Sequence, residues 1–148
     1  PSAHQRHNRS MDKLLSAERV EAIIRAGLPE AEAMQVRVEA VGDGRATIRI
    51  PFSPRMLRPG ERVSGPTLFA AIDTAMYAAV LAHIGEQPMA VTSDINLHFL
   101  RACAPHDIVA DAHILKLGKR LAVLSVTVGA AGDPPSVHAT GSYSLPPA

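Results

Sequence analysis

The chain has 148 residues, 47% of them hydrophobic, which suits one domain with a buried core and leaves little room for a second. The formal net charge at pH 7 is +1 and aromatic residues make up 3% of the sequence, so a nucleic-acid partner bound by phosphate neutralisation and base stacking is not expected. The single cysteine, Cys103, excludes an internal disulfide and predicts a reducing compartment, by default the cytoplasm.

Residues 1–10 contain two histidines and two arginines but no aliphatic cluster. This composition predicts a flexible leader, followed by a single domain over residues 11–148. The apolar core of a signal peptide is not visible, and the longest apolar run contains an aspartate and is too short to span a bilayer comfortably. We therefore expect a soluble protein with no membrane partner.

The first predicted elements are a helix and a β-hairpin. From Ser16, a predicted N-cap, apolar residues recur at helical spacing until Gly27 and Pro29 end the helix. Apolar and polar residues then alternate on both sides of a turn at residues 42–44, a pattern typical of two paired strands. The alternating apolar residues are Met34, Val36 and Val38 before the turn, and Ala46, Ile48, Ile50 and Phe52 after it.

Residues 53–65, which are rich in proline and glycine, predict a long loop leading into a helix from Pro66 to Ile84. This helix is apolar on nearly every side, so a sheet is expected to wrap it. Its one acidic residue is Asp73. A buried carboxylate needs a hydrogen-bonding partner, an opening to solvent or a chemical role, so Asp73 has either a structural or a functional role.

The start of this helix offers a second functional feature. Pro66 suits a first helical turn, and the free backbone N–H groups there lie at the positive end of the helix dipole. Such groups can stabilise a developing oxyanion. We expect them to lie close to the carboxylate of Asp73.

Four strand-like segments follow the helix and are expected to form an antiparallel meander. Turn residues separate them, and apolar and polar residues alternate along them. One face of the sheet should pack on the helix, giving an α+β fold in which an antiparallel sheet is wrapped around a central α-helix. The predicted strands are residues 90–101, 107–117, 120–129 and 137–145.

Three segments in this order carry a family resemblance: residues 64–75 (SGPTLFAAIDTA), 90–101 (AVTSDINLHFLR) and 116–121 (KLGKRL). The first is similar to the His-Gly-Gly loop and LADTA helix segment, and the second to the VTxxLxIxFLRP strand, of the hotdog-fold acyl-CoA thioesterase superfamily, specifically its PaaI-like branch. PaaI is named for phenylacetic acid degradation. The resemblance spans about residues 34–143. It implies hydrolysis of acyl-CoA without a metal or cofactor, by a dimer or tetramer whose site straddles two subunits.

The resemblance also implies roles. Asp73 matches the family's catalytic acid residue, a general base or nucleophile toward the thioester carbonyl, and Gly65 matches the glycine whose N–H polarises that carbonyl. Thr92 matches a Ser or Thr that positions water from the facing subunit, although strict alternation turns it away from the core unless the strand is irregular. Ser64 replaces the family's histidine; its hydroxyl either takes over some hydrogen bonding or caps the helix. The family's loop asparagine falls near residues 58–59, an Arg-Pro pair.

The basic residues give further candidates for substrate binding. Arg101 lies at a predicted strand end, and a second group lies at a predicted turn. These cations either bind the phosphates of coenzyme A or are solvated surface charges. The turn residues are Lys116, Lys119 and Arg120.

The histidines and the cysteine do not form a convincing site. Cys103 and His106 lie three residues apart without an identifiable third partner for a nucleophile. His98, His113 and His138 fall on separate strands, so no metal ligand is expected. Two other functions remain open: a hotdog hydratase or dehydratase, and a non-catalytic acyl-CoA-binding protein.

Overall fold

The computed structural model describes residues 14–147, so the predicted leader at residues 1–10 lies outside the described residues. Within this range the chain forms three α-helices, one 3-10 helix (Pro54–Met56) and eight strands. The helices are α1 (Ala17–Gly27), α2 (Pro29–Ala33) and α3 (Gly65–Ile84). The strands are β1 (Arg37–Gly42), β2 (Arg45–Ile50), β3 (Leu57–Arg58), β4 (Arg62–Val63), β5 (Val91–Phe99), β6 (Ile108–Leu117), β7 (Leu121–Ala130) and β8 (Val137–Ser144).

The helix and hairpin predicted at the start of the chain are confirmed, with one addition. The Ser16 hydroxyl accepts a hydrogen bond from the backbone N–H of Arg19 (3.1 Å) and caps α1. Pro29 not only follows α1 but also opens the short helix α2, because proline suits the first helical turn. As a result Met34 ends α2 instead of joining the strand predicted for it, and Phe52 lies beyond the end of β2.

Six of the described strands form one antiparallel sheet in the order β1-β2-β6-β7-β8-β5. Strands β6, β7 and β8 form the predicted meander, but the prediction is wrong for β5, which lies at the sheet edge beside β8. Residues 100–107 between β5 and β6 are too many for a tight hairpin turn. They carry the chain past β7 and β8, so that β6 pairs with β2 and β7.

Helix α3 packs on one face of this sheet and forms the centre of the core, as predicted. By length and composition it is the one helix among residues 14–147 that could cross a membrane, but 67% of that stretch is buried inside the fold. Many of the buried residues are alanines, whose small side chains let the sheet approach the helix closely. They are Ala71, Ala75, Ala78, Ala79 and Ala82.

The loop before α3 is more regular than predicted. Strands β3 and β4 pair as a two-residue ribbon beside the 3-10 helix. The backbone N–H of Val63 donates to the carbonyl oxygen of Cys103 (3.0 Å), and that of Ser64 donates to the carbonyl of Met56 (2.8 Å). The first bond ties the residues just before α3 to the segment that follows β5, and the second ties them to the 3-10 helix.

Candidate active site

Asp73 lies in the third turn of α3, half-buried, on the side facing β8 and the edge strand β5. The Thr92 hydroxyl donates a hydrogen bond to Asp73 Oδ1 over 2.6 Å, and the Tyr143 hydroxyl lies 2.8 Å from the same oxygen. The Tyr143 hydroxyl is also 3.2 Å from the backbone oxygen of Asp73. The Asp73 carboxylate is therefore held by hydroxyl groups on two neighbouring strands. This is the hydrogen bonding expected if Asp73 has a structural role.

The second carboxylate oxygen of Asp73 is different. Among residues 14–147 no side-chain or backbone donor hydrogen-bonds Oδ2. Within the same residues every fully buried side-chain nitrogen or oxygen has a partner, so Oδ2, which has none, is at least partly exposed. One oxygen is anchored and the other is accessible, which is the arrangement that a general base or a carboxylate nucleophile needs.

Thr92 reaches Asp73 because β5 is irregular at this point. The register between β5 and β8 shifts between Thr92 and Asp94, so Ser93 is the extra residue of a β-bulge. Thr92 consequently faces α3, while Asp94 faces outward and accepts a hydrogen bond from the Ser142 hydroxyl. Because of this bulge, the side chains of β5 do not alternate strictly between the two faces of the sheet at this point. The family resemblance places this residue on the facing subunit, but here it bonds Asp73 of its own chain.

Tyr143 was not among the residues singled out from the sequence. Its side chain is 3% exposed, and burial together with the negative charge of Asp73 raises the pKa of its hydroxyl. The hydroxyl therefore remains protonated and acts as a hydrogen-bond donor. One signal could have found it: a buried tyrosine hydroxyl needs an acceptor, and Asp73 is the acidic residue of the central helix.

Ser64 and Gly65 form the start of α3. The Ser64 Oγ accepts a hydrogen bond from the backbone N–H of Thr67 (3.3 Å) and lies 2.9 Å from the Thr67 hydroxyl, so Ser64 caps the helix. Gly65 precedes Asp73 by eight residues on one continuous helix, which separates them by about 12 Å along the axis. The prediction that the carboxylate and the N–H groups of one chain lie close together is therefore wrong.

The predicted phosphate-binding residues lie at two different ends of the sheet. The basic residues of the β6–β7 turn are exposed and lie at the same end as Thr92 and Tyr143, because β7 and β8 pair there and β8 continues the pairing to β5. Arg101 follows the other end of β5, and its guanidinium donates to the backbone oxygen of Pro135. Of the other three predicted residues, Lys119 and Arg120 lie in the turn and Lys116 lies near the end of β6.

Arg101 borders a cavity of about 650 Å³ at the start of α3. Gly65 and Phe99 also line this cavity, together with two further arginines that the sequence analysis did not propose for binding. These arginines are Arg58 and Arg62. The Gly65 backbone and a cluster of cations thus lie at one end of α3, about two turns from the carboxylate.

The structure brings two of the histidine candidates together: His98 on β5 lies directly opposite His138 on β8, and both are exposed. Cys103 is buried, and burial raises the pKa of its thiol, which disfavours the nucleophilic thiolate. His106 is exposed. Among residues 14–147 no cluster of three or more histidine, cysteine or acidic side chains is arranged to hold a metal ion.

This architecture defines the class of protein as an α+β hotdog fold, and solved structures agree over most of the chain. A protein from Silicibacter sp. TM1040, described as a candidate thioesterase, is 34% identical with a TM-score of 0.84, covering 93% of this chain and 96% of that one. The phenylacetic acid degradation protein PaaI from Thermus thermophilus has 22% identity and a TM-score of 0.70, covering 80% and 99%. At that identity the likeness concerns the fold alone. The fold predicted from the sequence is confirmed.

Sequence comparison identifies the family. The thioesterase superfamily model matches residues 60–135, about half of the chain, and the match includes Gly65, Asp73 and Thr92. A protein of Halobacterium salinarum, described as a candidate esterase, is 34% identical over 104 residues, which are 66% of this chain and 68% of that protein. The chain belongs to the thioesterase superfamily.

Proposed function

We propose that this protein hydrolyses acyl-CoA thioesters to a free acid and coenzyme A. The observation that carries the proposal is the Asp73 carboxylate, whose Oδ1 is held by two hydroxyl groups while Oδ2 has no hydrogen-bond donor among residues 14–147 and is at least partly exposed. A hydratase or dehydratase would usually pair its acid with a histidine. Within residues 14–147 no histidine hydrogen-bonds Asp73, which favours hydrolysis.

Two routes use the same Asp73 oxygen. As a general base, Oδ2 takes a proton from water while the water oxygen bonds to the thioester carbon. As a nucleophile, Oδ2 bonds to that carbon itself and forms an acyl-enzyme anhydride, which water then hydrolyses. In both routes the carbon–sulfur bond breaks, and the coenzyme A thiolate leaves and takes up a proton.

The oxyanion that develops in either route needs a donor within hydrogen-bonding distance. Gly65 of the same chain is too far from Asp73, since reacting groups must approach to about 3 Å and these residues are about 12 Å apart. A second copy of the chain could supply the donor. We therefore propose that the site is shared between two chains and that Gly65 of the partner subunit faces Asp73.

The free edge of β5 and its surroundings support a homo-oligomer. Among the described strands β5 pairs with β8 alone, so its other edge has unpaired backbone groups. Exposed apolar side chains cluster on and around β5, and 57% of Val91 and 58% of Phe99 are exposed. A second copy would cover these groups. The other exposed apolar residues nearby in the sequence are Met89 and Leu100.

Such an oligomer also determines which cations lie near the coenzyme A phosphates. In one chain the basic β6–β7 turn lies at the Asp73 end of the sheet, whereas Arg101 lines the cavity next to Gly65. If Gly65 of the partner subunit lies against Asp73, the partner's Arg101 also lies near Asp73, because Gly65 and Arg101 line the same cavity. We propose that cations from both chains then contact the phosphates.

The protein is expected to be an obligate dimer or tetramer. The free β5 edge and the separation of Gly65 from Asp73 both support a second copy that completes the site. Multi-angle light scattering during size-exclusion chromatography, with activity measured in each fraction, tests this. A stable monomer that retains full activity would contradict the shared site.

Ser64→Ala is expected to reduce turnover at most about tenfold, which is less than the loss of a dedicated oxyanion donor. The physical reason is that the Ser64 hydroxyl is already bonded to Thr67 as the cap of α3, so it does not serve as a dedicated oxyanion donor. Ser64→His should maintain or raise turnover if the family's histidine adds a useful contact. Steady-state kinetics with one cleavable acyl-CoA measures both variants, and a loss for Ser64→Ala as deep as that for Asp73→Asn would give Ser64 a central catalytic role.

The proposed activity is tested by release of free thiol from short, medium and aromatic acyl-CoAs. Hydrolysis predicts stoichiometric thiol and acid from at least one of them. A hydratase or dehydratase would change an unsaturated or hydroxylated acyl chain without releasing thiol. Binding measured by calorimetry with no chemical change would instead support the acyl-CoA-binding alternative.

A further inference from the structure

We propose that Tyr143 is a positioning residue that locks the Asp73 carboxylate in the orientation where Oδ1 is bound and Oδ2 faces the substrate. The inference rests on the proposed function and adds a residue to it. It assigns Tyr143 no contact with substrate, and its action passes through Asp73.

The contacts of the Tyr143 hydroxyl support this role. Its hydrogen-bond acceptors lie on one residue, the side-chain oxygen Oδ1 of Asp73 at 2.8 Å and the backbone oxygen of Asp73 at 3.2 Å. The hydroxyl therefore ties the carboxylate to a fixed point relative to its own backbone. A carboxylate free to rotate about its side-chain torsions would present Oδ2 to the substrate only part of the time.

Tyr143 is also better fixed than the other donor. Thr92 lies on the exposed edge strand β5, whereas Tyr143 is 3% exposed and lies on β8, which pairs with a strand on each side. Among residues 14–147, the oxygens that accept a hydrogen bond from this buried hydroxyl both belong to Asp73, and Thr92 is its other polar neighbour. Because an unpaired hydroxyl in the core is costly, the bond persists, and the carboxylate keeps one orientation.

Tyr77 supplies a matched control. Its ring stacks on that of Tyr143, with ring centroids 6.0 Å apart and an interplanar angle of 15°. Its hydroxyl donates to the backbone oxygen of Pro88 over 2.9 Å and does not bond Asp73. Replacing either tyrosine by phenylalanine keeps the stacked rings and removes one buried hydroxyl.

Tyr143→Phe is expected to lower kcat by roughly 10- to 100-fold, the range for loss of a hydrogen bond to a charged group, and to change KM by no more than about threefold. Tyr77→Phe should change kcat no more than about threefold. In the Asp73→Asn background, adding Tyr143→Phe should have little further effect, because the two residues act as one unit. Circular dichroism and thermal unfolding of all variants check that they remain folded.

Crystal structures of the two phenylalanine variants give a readout that does not depend on turnover. The proposal expects the Asp73 carboxylate to leave its position in Tyr143→Phe and to keep it in Tyr77→Phe. Equal kcat values for the two variants, or an unmoved carboxylate in Tyr143→Phe, would overturn the role of Tyr143 while leaving the thioesterase proposal intact. If the unaltered protein cleaves no thioester, the proposed function fails, and the carboxylate positions alone decide whether Tyr143 holds Asp73.

Discussion

Asp73→Asn is expected to lower the turnover of a cleavable acyl-CoA by about 100-fold or more while leaving the fold intact. The amide has nearly the shape of the carboxylate, and its oxygen can still accept hydrogen bonds from Thr92 and Tyr143. Its nitrogen then occupies the position of Oδ2. That nitrogen is neither a base nor a nucleophile, so the chemical step is lost and the contacts remain.

Asp94→Asn is the matched control for this prediction. Asp94 lies two residues after Thr92 on the same strand, but the β-bulge turns it to the outer face, where it accepts a hydrogen bond from Ser142. Its replacement should leave turnover within about twofold of the unaltered protein, as for most surface substitutions. Stopped-flow and steady-state thiol release from one acyl-CoA compare the two variants. If a well-folded Asp73→Asn variant turns over the acyl-CoA as fast as the unaltered protein, Asp73 is not the catalytic group. The result would then favour a binding role for the protein.

The parts of the fold that local pattern determines were predictable. The N-cap at Ser16, the turn before Arg45 and the apolar helix around Asp73 each depend on neighbouring residues, and all are confirmed. The position of β5 depends instead on which strand is its partner. Local alternation cannot decide that choice, since β5 could pair with β6 or β8 with the same residues facing inward.

The candidate site was predictable to a similar extent. Asp73 stands out because a carboxylate in an apolar helix is unusual, and Ser64 because it precedes a helix. The orientation of Thr92 was not predictable, because one extra residue in a strand reverses every side chain on one side of it. Tyr143 lies 70 residues from Asp73, and a hydrogen bond over that separation depends on the assembled sheet.

Gly141→Ala is expected to destabilise the folded protein by about 1–3 kcal/mol, the usual range for an added group in a packed core. A Cβ at this position would lie 2.7 Å from the backbone oxygen of Asp94 and 2.7 Å from the Cε of Met76. The methionine end can move, but the carbonyl oxygen belongs to β5, which pairs with β8 at this point. Thermal unfolding at fixed protein concentration should show a Tm lower by about 2–4 °C for each kcal/mol lost.

Gly27→Ala is the control, because Gly27 ends helix α1 and a Cβ there would meet nothing within 4 Å. Alanine favours helix by up to about 1 kcal/mol over glycine, so its Tm should be unchanged or higher. The backbone oxygen that would obstruct a methyl group at Gly141 belongs to the residue that follows the β-bulge, and that bulge turns Thr92 toward Asp73. Gly141→Ala should therefore also lower kcat in the fraction that remains folded. Equal Tm values for the two variants would show that β5 can move enough to accommodate the methyl group. In that case the absence of a side chain at Gly141 does not determine the position of Thr92.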